Sequence, residues 1–162
     1  MKAAIGVYES HDQAIEALAE LKKSGFPTEK LTIIGKADLI DNHIHVKSGD
    51  TTAKAEASIG VVTGTVLGIL TGVGIFAIPG LGFLFGAGAL VGAFAGLDIG
   101  LIAGGLAAIF TTMGIDEVKA RKYEKHLNEG KFLIFAQGDE KQIQHAKEVI
   151  HTQGLSLELD TH

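Results

Sequence analysis

Hydrophobic and polar positions near the N-terminus follow first a strand-like and then a helical spacing. Residues 3–8 (AAIGVY) and 30–36 (KLTIIGK) are apolar runs typical of buried strands. Between them, four apolar residues recur at the spacing of one helical face: Ala14, Ile15, Leu18 and Leu21. This order predicts a strand, a helix and a second strand.

The C-terminal end repeats the same order at an offset of 129 residues. Residues 131–137 (KFLIFAQ) and 155–159 (LSLEL) predict strands. The helix between them has an apolar face made of Ile143, Ala146, Val149 and Ile150. Its predicted boundaries also match those of the first helix: Ser10 with Gln13 and Asp139 with Gln142 as N-terminal caps, Gly25 and Gly154 as stops.

Two βαβ units of this kind predict an α+β protein with a ferredoxin-like βαβ…βαβ sandwich, in which two helices cover an antiparallel sheet. We assign this domain to residues 1–37 and 130–162. Residues 38–56 form a polar linker, 57–115 an apolar insertion, and 116–129 an amphipathic connecting helix. The connecting helix has an apolar face made of Ala120, Tyr123 and Leu127.

The insertion is distinguished by glycine at every fourth position and by an almost complete lack of charge. Glycine costs about 1 kcal/mol relative to alanine inside a helix, so its regular spacing needs a compensating role. Residues four apart stack along one helix face, where glycines allow a second helix to approach closely. The predicted helix-packing positions are Gly60, Gly64, Gly68, Gly72, Gly88, Gly92, Gly96, Gly100 and Gly104.

This pattern predicts a glycine-zipper α-helical hairpin that crosses a membrane twice. Residues 57–77 would form a helix of roughly 32 Å, close to the ~30 Å hydrocarbon core. Pro79, Gly80 and Gly82 would form the hairpin turn, and residues 83–115 the second arm. Basic residues near the ends favour a cytoplasmic soluble domain. Three of them are candidate headgroup contacts: Lys119, Arg121 and Lys122.

Asp98 is the only ionisable side chain between residues 57 and 115. A carboxylate at the centre of a bilayer costs about 2.5–3.5 kcal/mol. Asp98 is therefore a candidate intramembrane or lumen charge. The alternative is that it lies at a kink or a helix interface that divides the long second arm.

An assembly away from lipid fits the same sequence, because glycine grooves also pack helices in water. The hairpins of several copies would then bury one another, since a soluble monomer would not tolerate such a large exposed apolar surface. This alternative predicts a cytoplasmic homo-oligomeric cage or filament, which could hold lipid or another apolar ligand.

Composition and motifs exclude several classes of partner and of catalytic site. The 14 basic and 19 acidic side chains argue against a nucleic-acid partner, and the absence of cysteine excludes thiol catalysis. His43 and His45 lack a third metal ligand in the pattern, so no metal site is predicted. Residues 72–77 (GVGIFA) match a dinucleotide motif without its preceding strand. We therefore predict no catalytic residues, no cofactor and no enzymatic activity.

Two stretches of the sequence resemble a bacterial protein family. They are GIFAIPGLGFLFGAGALVGAFAGLDIGLIAGG, with its turn at residues 78–80, and GIDEVKARKYEKHLNEGKFLIFAQ. The chain resembles the general stress or heat-induced stress proteins, small glycine-rich membrane proteins of unknown function. The resemblance extends over nearly the whole chain and implies stress association without a known activity. Asp98 departs from the small apolar residues usual at that position.

Taken together, the sequence predicts a non-enzymatic stress-associated protein of the bacterial inner membrane that self-assembles through its hairpin. Its expected partners are other copies of itself and membrane lipid. The soluble assembly is one alternative. A ligand-sensing ferredoxin-like regulatory module is another, which rests on analogy of fold alone.

Overall fold

The computed structural model of the chain describes residues 2–36, 73–78, 82–88 and 105–161, with the backbone alone described for 73–78 and 82–83. These residues form a six-stranded sheet and four α-helices. The strands are β1 (Lys2–Tyr8), β2 (Leu31–Lys36), β3 (Val73–Ile78), β4 (Gly82–Gly88), β5 (Phe132–Gly138) and β6 (Glu158–Thr161). The helices are α1 (His11–Lys23), α2 (Gly105–Thr112), α3 (Glu117–Asn128) and α4 (Glu140–Gln153).

The strand order in the sheet is β3-β4-β2-β5-β1-β6, and each neighbouring pair is antiparallel. The four strands predicted from the two ends of the chain lie together as β2-β5-β1-β6. In the centre, Ile5 pairs with Phe135 and Ile33 pairs with Ile134. The predicted α+β class, with helices against an antiparallel sheet, is confirmed.

The predicted ends of α1 and α4 are also confirmed. The Ser10 hydroxyl accepts a hydrogen bond from the Gln13 amide at 3.3 Å, and Asp139 forms a complete capping box with Gln142. After the helices, Gly25 and Gly154 adopt positive φ angles of 84° and 63°. A positive φ is easily adopted only by glycine, so these residues end the helices where the sequence predicted.

Helices cover both faces of the sheet. On one face, α1 and α4 pack against the strands through residues such as Leu18, Leu21 and Ile150. On the other face, α2 and α3 form a second cluster with Ile5, Phe135 and other strand residues. The central strands β1 and β5 are therefore buried on both sides, which explains their nearly continuous apolar runs.

The helical hairpin predicted over 57–115 is wrong in the middle of that stretch. Val73–Ile78 and Gly82–Gly88 form an antiparallel β-hairpin, which extends the sheet beside β2. Along β4, Leu84 joins the cluster under α2 and α3, whereas Phe85 and Ala87 join the cluster on the opposite face. Side chains of a strand alternate in this way, and a helix cannot place neighbouring residues on two opposite cores.

Two of the glycines assigned to the helical hairpin have different roles in the sheet. Gly82 lies in β4, where it pairs with Ile78 of β3. Gly88 ends β4 with a φ of +125°, and a Cβ there would lie 2.0 Å from the carbonyl oxygen of Leu31. Close approach of two strand backbones, and not helix packing, therefore requires glycine at position 88.

Several predicted positions lie outside the described residues, and the predictions for them stay predictions. They are Gly60, Gly64, Gly68, Gly72, Pro79, Gly80, Gly92, Gly96, Asp98, Gly100 and Gly104, together with His43 and His45.

None of the helices that the structure describes is long and apolar enough to cross a membrane. Residues 73–77, the last part of the helical arm predicted over 57–77, form a strand and not a helix, whereas residues 57–72 lie outside the described ranges.

The end of the apolar block is helical, and the structure places it in the protein core. Four residues of α2 are buried against the sheet and α3: Leu106, Ala107, Ile109 and Phe110. Phe110 is fully buried, with its ring centroid 5.6 Å from that of Phe135 and 6.1 Å from that of Tyr123. The apolar surface of α2 is therefore buried by other residues of the same chain.

We expect Phe110→Ala to lower the free energy of unfolding by about 3–5 kcal/mol, because it removes a fully buried ring and leaves a cavity. Thr111→Ala, at the next and exposed position of α2, is the matched control and should change stability by less than about 0.5 kcal/mol. Equilibrium denaturation in urea measures both values. Equal, small effects of the two substitutions would show that α2 does not cover the sheet.

Candidate functional site

A group of polar contacts in the described part of the chain joins α3 to the edge strand β6. Asp116 caps α3 by accepting a hydrogen bond from the Val118 amide at 3.0 Å. The helix then buries Ala120, Tyr123 and Leu127, the face predicted from the sequence. This packing turns polar side chains of α3 toward β6. We call the group formed by Lys119, Lys122, Tyr123, His126, Glu158 and Asp160 the α3–β6 cluster.

Asp160 is the acceptor for two side chains of α3. The Lys119 ammonium lies 3.1 Å from Asp160 Oδ1, and the Tyr123 hydroxyl donates a hydrogen bond to Oδ2 at 2.9 Å. Both oxygens of the carboxylate are thus used by one helix. A charge-assisted contact of this kind is stronger than one between neutral groups, so Asp160 fastens the edge strand to α3.

Glu158 forms the second half of the α3–β6 cluster. Its Oε1 lies 2.6 Å from the Lys122 ammonium and 3.5 Å from Nε2 of His126. The His126 ring is largely buried, and its Nδ1 lies 3.7 Å from Glu129. Lys131 contacts the same glutamate at 2.9 Å, and this hydrogen bond lowers the pKa of Glu129.

Glu124 links α3 to α2. The backbone amide of Ala107, in the first turn of α2, donates a hydrogen bond to Glu124 Oε2 at 3.1 Å. The free amides at a helix N-terminus need such acceptors, and a carboxylate also matches the positive end of the helix dipole. Gly105 begins α2 with a φ of +80° and leaves room for this carboxylate. The adjacent residues Tyr123 and Glu124 therefore hold α3 to two different elements.

The three predicted headgroup contacts all lie on α3 with carboxylate partners. Lys119 and Lys122 contact β6, as described above, whereas Arg121 contacts Glu117 one turn earlier in the same helix at 2.8 Å. Arg121 is the most exposed of the three, since 72 % of its side-chain surface is accessible. A role in binding lipid headgroups stays a prediction.

Sequence reasoning did not identify Glu124, Glu158 or Asp160. Spacing within one helix predicts partners along that helix only, such as Glu117 four residues before Arg121. The partners of Lys119 and Lys122 lie about 40 residues later in the chain. The one available signal was the pair of carboxylates in β6, where a strand alternating Glu158, Leu159 and Asp160 presents two acids on one side.

Both tyrosines of the chain are held in their neutral form. Burial raises the pKa of Tyr123, and its hydrogen bond to Asp160 raises it further. Burial also raises the pKa of Tyr8, whose hydroxyl lies over Gly6 in β1 with no hydrogen-bond partner among the described residues. A phenol that resists ionisation is a poor base or nucleophile at neutral pH. The arrangement thus favours a role for Tyr123 in fastening α3.

A second polar region lies between α1 and α4, on the opposite face of the sheet. Its groove has a volume of about 670 Å³ and opens to solvent. Nε2 of His145 lies 3.1 Å from both the carbonyl and the hydroxyl oxygen of Ser24. The lining includes three carboxylates: Glu16, Glu20 and Glu148. Within the described ranges, no group of three or more His, Cys, Asp or Glu residues is placed to hold a metal ion.

Comparison with known proteins gives one match. Residues 3–76 match the family model described as the heat induced stress protein YflT domain. The matched range contains β1, α1 and β2 and ends within β3. No curated protein and no solved structure matches the chain. The first half of the chain is therefore similar to a heat-induced stress protein domain, which supports the stress association implied by the sequence.

The buried tyrosines give a direct test of this packing. The chain has two tyrosines and no tryptophan, so tyrosinate absorbance reports on Tyr8 and Tyr123 alone. Because both pKa values are raised in the folded state, the neutral phenols contribute stability below the unfolded pKa of about 10. This contribution is lost as the pH rises above that value. We expect tyrosinate to appear only together with alkaline unfolding, followed by circular dichroism.

Reversible ionisation of either tyrosine near pH 10 in the folded protein would contradict this assignment. Tyr123→Phe separates the two residues, because it removes one titrating group and the hydrogen bond to Asp160 while keeping the ring. The variant should lose about 1–2 kcal/mol of stability, since a charged acceptor loses a donor.

Proposed function

We propose that this chain is a non-enzymatic, stress-associated protein that works by assembling with other copies of itself. The match of residues 3–76 to a heat induced stress protein domain supports the association with stress. The assembly is supported by the described part of the sheet, in which helices cover both faces and the outermost strand β3 is uncharged.

The core of this protein is, in our proposal, a ferredoxin-like sandwich with additions. The strand order β2-β5-β1-β6 and the position of α1 and α4 on one face support this fold. Two additions come from the region between the βαβ units. The β3–β4 hairpin widens the sheet, and α2 with α3 closes the face that a two-layer sandwich would leave open.

The engagement of reactive groups in structural contacts supports a non-enzymatic role. Lys119, Tyr123 and Asp160 bind one another across the α3–β6 cluster, and Glu124 is bound to the amide of Ala107. Each contact joins two elements of secondary structure. We therefore expect mutation of these residues to lower the stability of the fold and not to remove a catalytic step.

Self-association is supported by one observation, that the outermost of the described strands is uncharged. Both faces of the sheet are covered by helices of the same chain, and β6 carries two acids at the far edge. β3 (VGIFAI) has no charged residue along its whole length. Natural proteins usually protect such an edge with charge or proline, so a bare one favours contact with another chain.

The alternatives have weaker support. A ligand-sensing module would use a polar site, and the groove between α1 and α4 opens to solvent and includes three glutamates in its lining. The assembly through a glycine-zipper hairpin in the membrane required helices over residues 73–77 and 83–88, where the chain forms strands. A membrane would bind through the exposed face of α3, where Arg121 lies.

The proposal is tested by measuring the mass of the untagged, full-length protein by sedimentation in buffer without detergent. We expect a discrete homo-oligomer that dissociates on dilution. A monomer at every concentration would contradict self-assembly. In parallel, membranes from heat-stressed cells are washed with carbonate. Retention of the protein on washed membranes would favour the lipid-bound alternative, whereas release of the protein into the wash would count against it.

A further inference from the structure

The side of α3 that faces away from the sheet is positively charged. At 3.6 residues per turn, the half of the helix opposite the core-facing residues carries Val118, Arg121, Lys122 and Lys125. Each of the four is at least half exposed to solvent. The helix carries four basic and two acidic side chains, whereas the whole chain has a net charge of −5. We call these four residues the α3 outer face.

The carboxylates beside the α3 outer face lie deeper than the cations they contact. Lys125 is 75 % exposed, whereas its partner Glu129 is 41 % exposed. Lys122 is 51 % exposed, whereas its partner Glu158 is 24 % exposed. Because ion pairs at a surface are weak in water, these cations can take part in a further contact.

The groove between α1 and α4, on the opposite face of the sheet, has the complementary charge. Glu16 and Glu148 line it, and neither forms an ion pair with a residue that the structure describes. The third glutamate of the lining is paired with a lysine of the same helix. Val149 and Leu155 add apolar surface, since both are partly buried against the core. The groove therefore offers two carboxylates to a cationic partner, beside an apolar lining.

We infer that the α3 outer face of one copy docks into the groove between α1 and α4 of a second copy. This inference rests on the proposed self-assembly and adds a second contact surface to the β3 edge. Arg121 and Lys125 would approach Glu16 and Glu148, and Val118 would contact the apolar lining. The lengths also agree, because α3 has 12 residues and the helices that border the groove have 13 and 14. At about 18 Å, α3 is long enough to lie along the groove.

The presence of both surfaces on one chain identifies the second copy as the partner. The α3 outer face lies on one side of the sheet and the groove on the other. A nucleic acid or an anionic membrane would pair with the α3 outer face alone, and a basic protein with the groove alone. A second copy pairs with both. Such a contact between two different surfaces closes into a ring, which is the discrete oligomer expected above, or continues as a filament.

Reversing one charge on each surface tests the contact. Lys125→Glu changes the α3 outer face and Glu148→Lys changes the groove, both at exposed positions. We expect each substitution to raise the dissociation constant of the oligomer, measured by sedimentation, at least about tenfold, which corresponds to about 1.4 kcal/mol. Lys22→Glu and Glu29→Lys are matched charge reversals at exposed positions outside both surfaces, and should leave the constant unchanged. Circular dichroism confirms that each variant is folded.

Mixing the two variants tests whether the two surfaces bind each other. Lys125→Glu keeps a native groove, and Glu148→Lys keeps a native α3 outer face. Both contacts that can form between the different variants then pair opposite charges. An equimolar mixture should therefore associate more tightly than either variant alone. A mixture that associates no better than its components would contradict the contact.

The outcomes separate this inference from the proposed function. A wild-type chain that is monomeric contradicts both. A wild-type oligomer whose dissociation constant changes in neither folded variant contradicts only this contact, as does an oligomer that high salt fails to weaken, since salt screens opposite charges. Vesicles of equal parts phosphatidylcholine and phosphatidylserine test the other occupant. Binding of the wild type that Lys125→Glu removes, while the oligomer stays unchanged, would assign the α3 outer face to a membrane and overturn the inference.

Discussion

Strands β1 and β5 carry apolar side chains on both of their faces, and a sheet of this kind needs an apolar cover on each side. Ile5 and Val7 of β1 face one cluster, whereas Ala4 and Tyr8 face the other. The first cover comes from α1 and α4 of the two βαβ units. The second comes from α2 and α3, which the region between the units supplies. Without this second cover, the face formed by Ile5, Leu133 and Phe135 would be exposed to water.

The second cover is held by polar contacts as well as by apolar packing. Glu124 fixes the start of α2, and the α3–β6 cluster fixes the side of α3 against the edge of the sheet. Partly exposed ion pairs contribute little individually, so the buried surface of Phe110, Tyr123 and Leu127 provides most of the stability. The polar contacts define where α3 lies. They also occupy the acids of β6 and so leave the two edges of the sheet chemically different.

Much of the fold was predictable because the βαβ units have local signals. The caps at Ser10 and Asp139, the stops at Gly25 and Gly154, and the face of α3 all follow from residues close in sequence. The last strand begins at Glu158, later than predicted, although the Leu157 amide already donates a hydrogen bond to the carbonyl of Val7 in β1. Even here the error is small.

The structure of the apolar block, residues 57–115, was harder to predict. An uncharged, glycine-rich run has no polar residues that would reveal a helical or a strand-like period. Helix and strand are then indistinguishable by periodicity. The length of this block favours membrane-spanning helices. The apolar character of β4 has another cause, because both of its faces are buried, at Leu84 on one side and Phe85 on the other. The α3–β6 cluster could not be predicted either, since its pairs join residues about 40 positions apart. Only the finished sheet brings Asp160 beside Lys119.

The central claim is that residues 105–115 complete the core of the protein instead of facing lipid or a partner. Native-state hydrogen exchange of the full-length chain tests it most directly. If α2 is part of the core, the amides of Ile109 and Phe110 should exchange with a free energy close to that of Ile134 in β5, because both require global unfolding. Rapid exchange of α2 beside a fully protected β5 would contradict the account, since the second face of the sheet would then lack its cover.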